Sequence, residues 1–333
     1  MTSIREGTDP TPPPYDVELA AALTLEGPSC DDLIFTDLSR LRQLSPSPSV
    51  ADLLQGRPIV HQEHDVPSRF DGAPIRLSVF RPAASQPGPG MLFTHGGGLI
   101  LGDRLSDADV FLDLVETFGV TVVSVEYRLA PEHPHPVPAE DAYSALEWTA
   151  DHAADLGVDA RQLLVGGVSG GAGLAAALAL MARDRSGPEL IGQLLICPML
   201  DDRDHTVSAR QYPSGPWNRQ HSRAAWSALL GAAVGGAEVS PYAAPARATD
   251  LGGLPPAYLE VGSAEIFRDE VVDYAARIWA AGGQAELHVW AGGFHCFWRV
   301  PYASLTHAAL AARNAWLGRI TGIGVETDAR RRG

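Results

Sequence analysis

At 333 residues and a formal charge of −15, this chain is too acidic to favour nucleic acid or an anionic membrane surface as a partner. Its 45% hydrophobic and 20% charged residues are those of a folded globular protein able to bury a sizeable core, and length alone suggests about two domains. Cys30, Cys197 and Cys296 are scattered and show no C-x-x-C spacing, which argues against a disulfide framework or a zinc site and fits a reducing compartment.

The opening stretch MTSIREGTDPTPPPYD lacks the apolar region of a secretory signal. Residues 1–15 are polar and proline-rich and predict a mobile segment. The longest apolar run, Ala172 to Ala182, falls far short of the roughly 20 residues a membrane span needs, so a cytoplasmic protein is expected. Helices are predicted over 16–25 and 31–44, the second from Ile34, Leu38 and Leu41 at helical spacing. Ser45-Pro46-Ser47-Pro48 ends it. Strands follow at 59–66 and 75–81, joined by an Asp71-Gly72 turn. A short apolar strand, Met91 to Thr94, ends at His95. Next come helix 107–118, strand 121–126, helix 138–155, strand 162–166 and the apolar helix 172–184. Strand 191–197, strand 257–261, helix 269–281, strand 286–290 and helix 303–318 complete the pattern.

Strands that are apolar throughout and alternate with helices predict an α/β fold with a mostly parallel sheet covered on both faces. Residues 201–250 break the rhythm. They are rich in proline, glycine, tryptophan and charge, with a helix-like piece at 220–231. The expected organisation is an N-terminal cap segment (1–55), a catalytic domain (56–320) carrying a cap insertion at about 201–250, and a C-terminal tail (321–333) whose Arg330 to Arg332 are solvated. No internal repeat is visible.

Gly167-Val168-Ser169-Gly170-Gly171 reads G-x-S-x-G. By chance the pattern arises roughly 0.2 times in such a chain, so context must decide its meaning. Apolar strand Leu163-Leu164-Val165 precedes it, and a helix-forming Leu174-Ala175-Ala176-Ala177 follows. A sharp strand-to-helix turn leaves the serine hydroxyl projecting from the strand end, at a helix N-terminus that favours developing negative charge. A second signal is His95-Gly96-Gly97-Gly98 after strand 91–94, where glycines let backbone N–H groups face an oxyanion.

An activated serine needs a base and an orienting acid. The histidines after Ser169 are His205, His221, His288, His295 and His307. His288 lies inside a strand, His205 and His221 lie in the insertion, and His307 looks helical. His295, in a loop just past the last strand, is the expected base. The acid is expected just after strand 257–261, where Glu265 is nearest the strand end and Asp269 is the alternative one helical turn later.

These residues resemble the hormone-sensitive-lipase-like branch of the α/β-hydrolases, the bacterial esterases of that group. The matches run in family order across roughly 90–300: HGGG at 95–98 with Gly102-Asp103 behind it, Tyr127-Arg128-Leu129-Ala130-Pro131-Glu132, the serine turn, Arg268-Asp269-Glu270, and Gly293-Phe294-His295. The resemblance implies an eight-stranded α/β-hydrolase sheet with a helical cap, and an oxyanion hole from the N–H groups of Gly97, Gly98 and Gly170. Three positions depart from the family's usual residues. Val168 stands where Asp or Thr is usual, Gly170 where Ala is, and Glu265 where Asp is.

The expected activity is cofactor-free, metal-free hydrolysis of carboxylic esters through a serine acyl-enzyme, with short acyl chains expected from the resemblance alone. The catalytic residues would be Ser169, Glu265 and His295. Acyl transfer or elimination on the same scaffold is the alternative, and a non-catalytic small-molecule receptor is a third reading. Trp217 and Trp226 in the insertion are candidates to line the substrate pocket, or else to pack the cap's own core. His61 with His64, and His133 with His135, lack the context of a metal site. The expected partner is a small-molecule ester, with a homodimer left open.

Overall fold

The computed structural model describes residues 10–25, 33–44, 46–83, 87–213 and 215–324. Eight strands form one sheet in the order β1-β2-β4-β3-β5-β6-β7-β8. β1 (Ile59–Pro67) and β2 (Pro74–Pro82) make an antiparallel hairpin around Asp71, whose Oδ1 accepts from Ala73 N at 3.1 Å. β2 also runs antiparallel to β4 (Thr121–Glu126). The remaining pairings are parallel, linking β4, β3 (Gly88–Thr94), β5 (Val158–Val168), β6 (Gly192–Ile196), β7 (Ala257–Gly262) and β8 (Ala285–Trp290). All eight strands read from the sequence are present, in the mostly parallel sheet expected.

Side chains alternate across a strand, so each apolar strand feeds two cores. Leu92, Val165, Leu195 and Leu259 join one core; Met91, Phe93, Leu164, Leu194 and Tyr258 join the other.

The helices complete the layers. α1 (Val17–Leu25), α2 (Leu33–Thr36), α3 (Leu38–Leu44) and α4 (Val50–Leu53) precede the sheet. α5 (Ala108–Phe118) and α11 (Ser304–Thr321) bring Phe111, Phe118, Trp316 and Leu317 to the second core. α6 (Val137–Asp151), α7 (Gly170–Asp184) and α10 (Arg268–Ala280) pack on the first. α8 (Val207–Gln211) and α9 (Arg219–Leu230) lie within 201–250. Among the described residues, no helix is long and apolar enough to cross a membrane.

Two expectations change. The helix expected over 31–44 divides after Thr36, because Asp37 caps the second piece: its Oδ1 accepts from Arg40 N at 2.9 Å. Residues 10–15, expected to be mobile, lie against the body. Tyr212 donates to Pro13 O at 3.0 Å, Gln211 donates to Thr11 O at 2.7 Å, and Tyr15 meets Phe294 edge-on at 6.1 Å. Composition reports backbone entropy and not docking partners, so the sequence could not foresee this. Residues 1–9, Cys30 and 325–333 lie outside the described residues.

Candidate active site

The site gathers at the C-terminal ends of the parallel strands, where α/β sheets bind ligands. Ser169 follows β5 and precedes α7 with φ +56° and ψ −121°, a strained conformation for a non-glycine residue. The turn is held by backbone packing. A Cβ at Gly171 would stand 2.2 Å from the carbonyl oxygens of both Thr94 and His95, so only glycine lets α7 approach the end of β3. Thr94 Oγ1 fastens the junction, donating to Gly171 O at 2.7 Å. Ser169 N donates to Ile196 O at 2.8 Å, and Met199 N to Ser169 O at 3.1 Å.

His295 Nε2 lies 2.9 Å from Ser169 Oγ, and His295 Nδ1 lies 3.2 Å from Glu265 Oε2. All three are buried, at 3%, 7% and 2% exposure for Ser169, His295 and Glu265. Burial drives the Glu265 carboxyl upward, with His295 opposing. Burial pulls the imidazole down, but the Cys296 sulfur and Glu265 carboxylate beside it push it up, and the balance is upward. Asp269 is engaged elsewhere, accepting from Ser208 N at 2.7 Å and pairing with Arg268 at 2.7 Å. The other four histidines after Ser169 also bond elsewhere. His205 approaches Asp201, His221 joins the capping box of α9, His288 contacts Glu286, and His307 contacts Pro301 O.

The glycine loop after β3 lies against the serine turn. Gly97 and Gly98 take φ +106° and +61°. His95 is fully buried beneath them, stacked on Tyr127 at 4.2 Å, and its carbonyl accepts from Tyr127 Oη at 2.7 Å. Gly170 begins α7, whose first amides have no intrahelical acceptor. A Cβ at Gly170 would stand 2.8 Å from Gly98 Cα and 3.0 Å from the Gly98 and Leu99 nitrogens. The first residue of α7 therefore packs directly against the glycine loop.

Trp217 is half-buried, its ring 6.2 Å from that of His295 and against Gly98, where a Cβ would meet it at 2.8 Å. Trp226 is buried and, with Leu99, Gly170, Met199 and Tyr242, lines a cavity of about 10 Å³.

A family model described as alpha/beta hydrolase fold matches residues 91–299. The chain belongs to the α/β-hydrolases, in their hormone-sensitive-lipase-like branch. It is 36% identical to a solved bacterial heroin esterase, with a TM-score of 0.83 over 92% of this chain and 98% of that one. It is 32% identical to esterase LipI of Mycobacterium tuberculosis over 87% of this chain and 88% of the relative. With an ethyl acetate hydrolase of Pseudomonas putida it shares 30% identity over 69% and 73% of the two chains.

Of the departures from the family pattern, Val168 is buried, with 1% exposure. Gly170 has a steric role here, since the family's usual alanine would press on Gly98. Glu265 reaches the ring with one oxygen, while its Oε1 has no hydrogen-bond partner.

Sequence reading missed the groups that hold the loops. Asp107 opens α5 in a left-handed conformation yet does not cap it. Its Oδ2 accepts from Gly96 N at 2.7 Å, and its Oδ1 accepts from Arg299 Nη2, tying the glycine loop to the segment that carries His295. Arg42 on α3 donates to Ile100 O and Ala130 O, both at 2.8 Å. Buried Glu270 accepts from Leu200 N at 2.7 Å, just past the Met199 contact with Ser169. The one cue, the resemblance at Arg268-Asp269-Glu270, gave no role. The fold also brings Cys197 and Cys296 beside His295, which local cysteine spacing could not register.

Asp107→Ala leaves the Gly96 amide without its acceptor and releases Arg299. In an ester-hydrolysis assay kcat is expected to fall about 10–100-fold with KM little changed, as for a small misplacement of reacting groups. Asp107→Asn, which keeps an acceptor for Gly96, is expected to recover part of the loss. Urea unfolding of Asp107→Ala is expected to show about 1–3 kcal/mol of lost stability.

Proposed function

We propose that this chain is a carboxylic ester hydrolase acting through an acyl-enzyme on Ser169, on small esters with short acyl groups. The observation that carries this is the buried hydrogen-bonded line from Ser169 through His295 to Glu265. In our reading, His295 Nε2 takes the serine proton as Oγ attacks the ester carbonyl. The N–H groups of Gly97, Gly98 and Gly170 stabilise the oxyanion that forms. His295 then returns the proton to the departing alcohol, and Glu265 holds the ring and balances its positive charge. Water attacks the acyl-enzyme by the same route and releases the acid.

Residues 1–55 and 201–250 act as a cap in this reading. Its support is the docking of Tyr15 on Phe294 and Tyr212, and of Phe35 on His221 at 5.9 Å. Trp217 then borders the reacting groups, and Trp226 backs the acyl side. The cavity of about 10 Å³ beside Gly170 has room for roughly one water-sized group, so a long acyl tail would have to displace side chains.

Ser169→Ala is expected to lower ester turnover by about 10⁴–10⁶-fold, measured with a p-nitrophenyl ester, while circular dichroism stays native. Near-normal hydrolysis in this variant removes the serine mechanism. On a panel from acetyl to decanoyl esters, kcat/KM is expected to be highest at the short end. A peak at decanoyl overturns the acyl assignment alone.

The pH profile follows from the upward balance on His295. A protonated Nε2 cannot take the serine proton, so kcat/KM falls as pH drops through the imidazole pKa. The acid limb is expected above the ordinary value of about 6.5. Glu265→Gln removes the carboxylate's upward push, so the limb moves to lower pH while kcat falls roughly 10²–10⁴-fold. A pH–rate series on both forms checks the direction.

A further inference from the structure

We propose that Cys197, Cys296 and His295 form a binding site for a thiophilic divalent cation of the zinc or cadmium kind, and that its occupation silences the enzyme. The three residues come from two strand ends. Cys197 follows β6 with φ +42°, and Cys296 follows His295 with φ +64°, opening the short 3₁₀ turn Phe297–Arg299. Their ligand atoms all lie within 4.8 Å of one another, and Cys197 Sγ is 3.9 Å from His295 Nε2. Zn–S bonds of about 2.3 Å and Zn–N bonds of about 2.0 Å put tetrahedral ligands roughly 3.5–3.8 Å apart. Small side-chain rotations close the remaining gap.

The donor set decides the class of ion. Two sulfurs and an imidazole nitrogen suit zinc, cadmium and other soft or borderline cations, whereas magnesium and calcium require oxygens. Glu265 already holds Nδ1 of the same ring at 3.2 Å. A carboxylate on one imidazole nitrogen is the support that metal-binding histidines usually have, because it fixes the ring and leaves the other nitrogen's lone pair free. The arrangement that prepares His295 to receive a proton therefore also prepares it to hold a cation. Cys296 is half-buried while Cys197 and His295 are buried, so the approach is from the Cys296 side.

Silencing follows from competition for one lone pair, and this part rests on the reading of His295 as the base. Ser169 Oγ lies 2.9 Å from Nε2, so a cation there displaces the serine's hydrogen bond and leaves no acceptor for its proton. Each thiol loses one proton to solvent as its sulfur–metal bond forms. No electrons are transferred, and a chelator with two protons restores the thiols.

The test uses the whole, reduced, metal-free enzyme. Cd²⁺ titration followed by ultraviolet absorbance is expected to give a thiolate-to-cadmium band saturating at one ion per chain. Zn²⁺ is expected to abolish p-nitrophenyl acetate hydrolysis, with recovery on adding EDTA. Cys197→Ala and Cys296→Ala, each compared with its own metal-free rate, are expected to raise the Zn²⁺ inhibition constant at least about tenfold and to weaken the cadmium band. Cys296→Ser, with circular dichroism, replaces either variant if it fails to fold. Absence of the band, or an unchanged inhibition constant in the cysteine variants, overturns the site. A band at full stoichiometry with undiminished turnover overturns the silencing. If the metal-free enzyme hydrolyses no ester, the functional reading has failed, and the cadmium titration still judges the site.

Discussion

The site depends on one close contact between backbones. The first turn of α7 lies so near the end of β3 that a single methyl group at Gly171 would collide with two carbonyl oxygens. That approach bends the chain sharply enough to hold Ser169 in a conformation that serine does not adopt unaided. The hydroxyl lies 2.9 Å from His295 Nε2, and the backbone of Gly170 packs against Gly98, where a Cβ would come within 2.8 Å of its Cα. Looser packing would relax the turn and with it the position of Ser169. The strain is offset by the apolar cores on both faces, which fix β3, β5 and α7 as rigid pieces.

Burial sets the electrostatics of the three-residue line. Glu265, His295 and Ser169 are almost wholly removed from water, so their mutual hydrogen bonds act in a medium that screens them weakly. The same burial disfavours an isolated charge on either Glu265 or His295. Each therefore depends on the other, and the longer glutamate side chain spans the gap from the end of β7 to the ring beyond β8.

Around this line, the polar groups of the neighbouring loops are joined to one another. Asp107 connects the glycine loop with the segment after His295, and Arg42 reaches from the N-terminal helices to the carbonyls of Ile100 and Ala130. Glu270 holds the backbone after β6, beside the contact between Met199 and Ser169. These side chains fix the positions of loops, the glycine-rich one after β3 among them, that would otherwise wander. The two sulfurs beside His295 belong to the same crowded shell, and their proximity follows from the sheet order: β6 and β8 flank β7, and their C-terminal ends turn toward a common point.

Strand order in the chain, the alternation with helices and the G-x-S-x-G and HGGG turns were legible as sequence because each is a local property. Apolar runs dictate buried strands, and glycine runs dictate where backbone can bend sharply or approach closely. Ser169, His295 and Glu265 could be singled out because each sits at a predicted strand end. Tertiary structure engaged Asp269 with Ser208 and Arg268, away from the imidazole, broke the 31–44 helix at Asp37, and docked residues 10–15 on the body. It alone made Asp107 a tie between two loops and set Cys197 beside Cys296. The physical reason is that hydrophobic pattern and turn chemistry act between neighbours in the chain. The pairing of buried polar groups is decided by distances across the fold, which no spacing along the chain encodes.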